Sequence, residues 1–175
     1  MTNNTTAIAS HLMLFELSVG GHYPEYIAHL IKYWYDRRLW GKLSIVVSPE
    51  FMDKHATVVN LTQNQGDCKT RQRHRSVRFV TIDQAEADWL KPSRNSSQRM
   101  VRAFQEFKLL QKYAKLLQAS QILVTYFDTR QFPLACRQRL LCPISGIYFR
   151  PRFHYGEFAL EESSSIGEKL TLEKE

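Results

Sequence analysis

Cysteine is scarce in this chain: Cys68, Cys136 and Cys142 are odd in number, and no two of them are spaced Cys-x-x-Cys. That usage argues against a disulfide framework and a structural zinc site and fits a reducing, cytoplasmic compartment. Long hydrophobic runs are missing too, since no stretch approaches the ~18 apolar residues that span a bilayer. The opening Met-Thr-Asn-Asn-Thr-Thr-Ala-Ile-Ala-Ser has neither a basic start nor an apolar block, so no secretory signal is expected. The few glycines never form Gly-x-Gly-x-x-Gly, which removes the dinucleotide-binding fingerprint and with it the plainest reading as a reductase.

What remains is a globular composition. With 43% hydrophobic and 12% aromatic residues, 175 residues suffice for one domain with its own core, and disorder throughout is not expected. The net charge of +7 invites a nucleic-acid reading, but much of the excess lies in Lys69-Thr-Arg-Gln-Arg-His-Arg-Ser-Val-Arg78, a polar stretch between two apolar runs. No helix-turn-helix, zinc-finger or aromatic RNA-binding signature accompanies it, so specific nucleic-acid binding is not expected.

Apolar runs alternate with helical periodicity along the chain. Strands are predicted over 12–17, 43–47, 77–82, 122–127 and 144–149. Between them, Tyr23, Tyr26, Ile27, Leu30, Ile31 and Trp34 fall on one helical face, and Met52 to Leu61 reads as a short helix. Ser97 to Ala119 is the longest periodic segment, and Gln131 to Leu141 a further helix. Such alternation predicts an α/β fold, a Rossmann-like mostly parallel sheet with helices on both faces. Residues 1–10 read as a flexible N-terminus, 11–160 as the Rossmann-like domain and 161–175 as a polar tail.

In such a sheet the ligand crevice lies at the carboxyl ends of the strands, which would gather Ser18 to His22, Ser48 to Glu50, Tyr126 to Arg130 and Arg150 to Tyr155. Among these, Gly20-Gly21-His22 has the clearest chemistry. A strand ending on two glycines and turning at once into a helix leaves backbone N–H groups at a helix N-terminus, where a phosphate or another anion is received. Glycine there permits positive φ or close approach of a ligand to the backbone, and Pro24 fits the first helical turn. A tight βα turn without any ligand is the alternative reading of the same residues.

Phe15-Glu-Leu-Ser-Val-Gly-Gly-His-Tyr-Pro-Glu-Tyr-Ile, followed much later by Ser145-Gly-Ile-Tyr-Phe-Arg-Pro-Arg-Phe-His-Tyr155, resembles the N-terminal, acceptor-side domain of a group 1 GT-B glycosyltransferase. The resemblance covers about residues 11 to 160. It implies an enzyme of two Rossmann-like domains facing a cleft, transferring a sugar from a nucleotide-sugar donor to an acceptor, with no metal required. The donor is the co-substrate of the complete enzyme and no cofactor is expected in this half. On this reading Gly20 and Gly21 approach the donor diphosphate and His22 lies near the reacting centre.

Other candidates carry two readings each. Asp128, just past the fourth strand, accepts from a sugar hydroxyl or caps the next helix, and Glu50 divides the same way. Arg150, Arg152 and His154 bind an anionic acceptor or phosphate, or belong to a loop ordered by Pro151 and Phe153. The tail ending at Glu175 reads either as the start of a missing donor-binding C-terminal domain, without which no transfer is expected, or as an ordinary polar terminus. The alternative to a transferase is a non-catalytic acceptor- or nucleotide-binding module or remnant. Lys108, Lys112 and Lys115 on the long helix, and Lys32, Arg37 and Arg38 beside Tyr33, Trp34, Tyr35 and Trp40, suit either a solvated face or peripheral contact with the inner face of a membrane. Lipid-linked acceptors are common among the enzymes the resemblance points to.

Overall fold

Every residue of β1 (His11–Phe15) is buried or half-buried, as a strand must be when both faces of its sheet are covered. The computed structural model describes residues 10–63, 75–90, 95–125, 127, 133 and 139–147. Within them the chain continues as α1 (Tyr23–Asp36), β2 (Gly41–Val47), α2 (Pro49–Lys54), α3 (Ala56–Gln63), β3 (Arg75–Thr81), α4 (Gln84–Trp89), α5 (Ser96–Leu116), β4 (Gln121–Val124) and β5 (Ile144–Gly146). The strands form one five-stranded sheet in the order β3-β2-β1-β4-β5, with every neighbouring pair parallel. This is the Rossmann-like α/β arrangement that the alternating pattern predicts.

Each face of the sheet has its own core. On one, Met13, Phe15, Val46 and Ile122 pack with Leu109, Leu110, Tyr113 and Ala114 of α5. On the other, Leu14, Leu43 and Ile45 pack with Ile27, Ile31 and Trp34 of α1 and Phe51 of α2. Fully burying side chains of this size stabilises by roughly 1.5–3 kcal/mol each, so these two layers dominate the fold.

Capping fixes where the helices run. Asn95 opens α5, its Oδ1 accepting from the Gln98 N–H at 2.8 Å. Both long helices close on a left-handed residue, Arg38 (φ 49°) after α1 and Gln118 (φ 51°) after α5. There the Leu39 N–H donates to Trp34 O at 3.1 Å and the Ala119 N–H to Ala114 O at 2.9 Å, a closure that turns each chain directly into the next strand.

Several elements differ from the sequence reading. The strands at 12–17 and 122–127 stop at Phe15 and Val124, although Leu17 stays buried and the Glu16 N–H still donates to Val46 O at 3.0 Å. The apolar run reports burial, which outlasts the ladder. The helix expected over 52–61 is two helices broken at His55, whose backbone leaves the helical region at φ −121°, ψ 41°. Helix α4 was not expected at all. Its start is fixed by the Asp83 N–H donating to Glu86 Oε2 at 3.0 Å, half of a capping box.

Glu86 also accepts from the Tyr113 hydroxyl at 2.7 Å and from Lys112 Nζ at 2.5 Å, which fastens α4 to α5. Burial alone would raise the Glu86 pKa, but the bonds from Lys112, Tyr113 and the Asp83 backbone outweigh it and hold the carboxyl below its usual range. The segment 131–141 lies mostly outside the described residues, and its end, 139–141, is a non-helical approach to β5. Cys68 and Cys136 also lie outside them, while Cys142 is a free, half-buried thiol whose pKa burial pushes up. Among the described residues no helix is long and apolar enough to cross a membrane.

Candidate functional site

The strand order places the reversal of the sheet between β1 and β4: the chain lays down β2 and β3 on one side of β1, then returns to build β4 and β5 on the other. In open α/β sheets this switch point, at the carboxyl ends of the strands, is where ligands bind. Glu16 and Thr125 follow β1 and β4 there, one residue beyond the Phe15–Val124 register pair.

Glu16 is completely buried, yet both its carboxyl oxygens are satisfied. Oε1 accepts from the Ser18 N–H at 2.9 Å, and Oε2 accepts from the Thr125 hydroxyl. A buried carboxyl is tolerated only with such partners. The first bond folds the chain back on itself after β1 and the second ties that turn to β4. A further anchor comes from His55, whose Nε2 lies 2.8 Å from Val19 O while its ring packs against Phe51 at 4.8 Å. The stem of the β1–α1 loop is thus held on two sides.

Its tip is open. Gly20, Gly21 and His22 are exposed, and Gly21 has φ +70°, the left-handed conformation that the glycine reading anticipates. A Cβ at Gly20 would meet nothing within 4 Å, and one at Gly21 only ring carbons of Tyr23 at ordinary contact distance, so the tip has room for an approaching group. His22 stands at the N-cap of α1 but makes no side-chain capping bond. Its Nδ1 lies 3.3 Å from Glu25 Oε2 and its ring meets Tyr26 edge-on at 6.4 Å. Glu25 sets a carboxylate in the first turn of α1, where it takes up part of the positive end of the helix dipole.

The end of β2 contributes a different group. The Ser48 hydroxyl is buried without a hydrogen-bond partner among the described residues, although Ser48 is the N-cap residue of α2. Glu50, on the first turn of α2, is exposed and paired with Lys54 Nζ at 2.6 Å. Asp128, Arg150, Arg152 and His154 lie outside the described residues. Of the candidates read from sequence, the structure therefore gathers Gly20, Gly21 and His22 on one loop, with Glu50 at the end of the neighbouring strand. Among the described residues no group of His, Cys, Asp and Glu is arranged to hold a metal ion.

Sequence reasoning missed Glu16 and Thr125, and it placed Ser48 at the crevice without giving it a role. For Glu16 the signal was a single charge inside the apolar run Leu14-Phe-Glu-Leu17, a position where a carboxyl is kept only if it is bonded. Nothing in the sequence marks Thr125 as its partner, because the two are 109 positions apart. Fold and site together define a Rossmann-like α/β domain with an exposed glycine tip on a buried polar stem at its switch point. No family model matches the chain, and no curated protein is significantly similar to it.

Proposed function

We propose that this chain is the acceptor-side domain of a GT-B-type glycosyltransferase, with the Gly20–His22 tip meeting the diphosphate of a nucleotide-sugar. The observation that carries the reading is the exposed tip at the start of α1, set beside the switch point by the Glu16 carboxyl. A helix N-terminus and a glycine backbone suit the charge that develops on a departing diphosphate, and a loop fixed before the ligand arrives costs little reorganisation. His22, exposed at this position, is the side chain free to approach the reacting sugar or the phosphate. The nucleotide itself would be held mainly by a second domain, so isolated residues 1–175 should bind the diphosphate weakly and transfer no sugar.

A binding module without turnover is the second reading, and one observation favours it. Both oxygens of Glu16 are occupied by donors, which leaves this carboxyl unsuited to act as a general base. Backbone amide NMR of the purified chain, titrated with pyrophosphate and with UDP, GDP and ADP, tests the shared core of both readings. Shifts confined to residues 18–25 are the expected result; no shifts, or shifts centred elsewhere, would reject the anion site. Sugar release or transfer from UDP-, GDP- or ADP-sugars, assayed with the chain joined to a donor-binding second domain, then separates transferase from binding module.

A further inference from the structure

The opposite edge of the sheet carries aromatic and basic side chains that the proposed site does not use. At this edge α1 and α5 end and β1, β2, β4 and β5 begin. Trp40 is 67% exposed in the connection from α1 to β2, and Leu116, the last residue of α5, is equally exposed. Tyr33 on the last turn of α1 and Leu141 just before β5 are exposed as well. Apolar side chains of this size facing water on one edge mark an interaction surface.

The charge of the edge selects the partner. Lys32, Arg37, Arg38, Lys42 and Lys115 are all exposed there, against the single carboxylate of Asp36 among the described residues. The Arg37 guanidinium sits 5.7 Å from the centre of the Tyr33 ring, so a cation and an aromatic ring are already paired at the surface. Beside Trp40 lies a notch of about 220 Å³ whose apolar walls are Leu12, Trp34, Leu39 and Trp40 itself. Tryptophan and tyrosine favour the membrane–water boundary, while lysine and arginine favour anionic headgroups. The aliphatic groups decide between lipid and nucleic acid. Leu116 and Leu141 gain nothing against a phosphate backbone but are buried by the acyl boundary of a bilayer.

We propose that this edge docks the protein on an anionic lipid surface, with Trp40 and Leu116 entering the interface and the basic residues on headgroup phosphates. The docking does not depend on the glycosyl-transfer reading. It would hold the carboxyl edge of the sheet, with the Gly20–His22 tip, facing away from the bilayer.

Sedimentation of the full chain with vesicles tests the proposal, comparing pure phosphatidylcholine with phosphatidylcholine mixed with phosphatidylglycerol. Binding to the anionic vesicles alone, weakened by salt, is expected. Trp40→Ala and the double variant Lys32→Glu/Arg37→Glu should each lower that binding by about tenfold or more. Trp89→Ala removes an exposed indole away from this edge, next to Gln105 in the middle of α5, and should bind like the parent. If Trp40→Ala does not fold, the double variant decides, because both of its positions are exposed. Absence of binding, equal binding to both vesicles, or full binding by the folded variants overturns the proposal. So does binding to a duplex oligonucleotide with no binding to vesicles.

Discussion

The Thr125 hydroxyl at the end of β4 donates to Glu16 Oε2 at the end of β1, joining by side chains the two strands that flank the reversal of the sheet. The other oxygen of the same carboxyl accepts the Ser18 N–H at 2.9 Å. One buried residue therefore sets both the strand junction and the direction in which the β1–α1 loop departs.

Thr125→Val keeps the shape of the side chain and removes its donor, leaving a buried carboxyl oxygen unsatisfied. Urea unfolding should show a loss of about 1–3 kcal/mol. Combining it with Glu16→Met removes both partners of the Thr125–Glu16 bond, and the double variant should lose less than the sum of the singles, since the half-buried Ser18 N–H is then the one group left without its acceptor. Unfolding of Thr125→Val at the parent midpoint would show that the bond contributes nothing.

The two glycines of the tip should differ. Gly21 has φ +70°, and a Cβ there would touch only Tyr23 ring carbons at 3.7 and 3.8 Å, so the penalty of Gly21→Ala is in the backbone alone, about 1–2 kcal/mol. A Cβ at Gly20 meets nothing and its φ is ordinary, so Gly20→Ala should melt with the parent. Paired thermal melts check the contrast, and equal melting of the two variants would contradict the turn geometry.

The fold was legible because local pattern and tertiary placement agree wherever apolar periodicity is strong. The Ile27, Ile31 and Trp34 spacing of α1 and the apolar runs of β1 and β2 report burial directly, and burial decides the layers. Helix α4 escaped because six residues carry too little periodicity, although Asp83 and Glu86 bore the capping signal. The break at His55 escaped because no glycine or proline marks it, and the contact its ring makes is to Val19, 36 positions away. At the site, Gly20-Gly21-His22 was readable because the turn is local. The partnership of Glu16 with Thr125 was not, because only the parallel register of β1 and β4 brings them together.

Stability should fall in acid through His11. This histidine of β1 is buried, with Nε2 2.9 Å from Ser44 Oγ, which also accepts from Arg78 Nε at 3.1 Å. Burial lowers its pKa below the ordinary 6.5, the charges of Arg78 and Lys42 lower it further, and the backbone bond at Leu117 pulls the other way. A depressed folded-state pKa means that the unfolded chain takes up the proton first. The stabilising contribution is then fully present above 6.5 and lost as pH falls through the folded value. Urea midpoints measured across that range should decline for the parent and decline less steeply for His11→Gln. Identical slopes would assign the acid sensitivity to other groups.

The tip itself is tested by separating binding from folding. His22 is exposed, 3.3 Å from Glu25 and without a capping bond, so His22→Ala should change stability by no more than about 0.5 kcal/mol. Gly20→Val places a branched side chain where the tip is now open and should likewise fold. Both should weaken pyrophosphate binding followed by amide NMR, one by removing a side-chain partner and the other by blocking the backbone. Glu25→Gln should act in the opposite direction. Its carboxylate occupies the positive end of α1 and repels an incoming anion, so neutralising it should strengthen binding by about two- to fivefold. This increase is the sharper test, because damage to the fold lowers affinity and does not raise it. Unchanged affinity in all three folded variants would make Gly20–His22 a structural turn and remove the basis for an anion site.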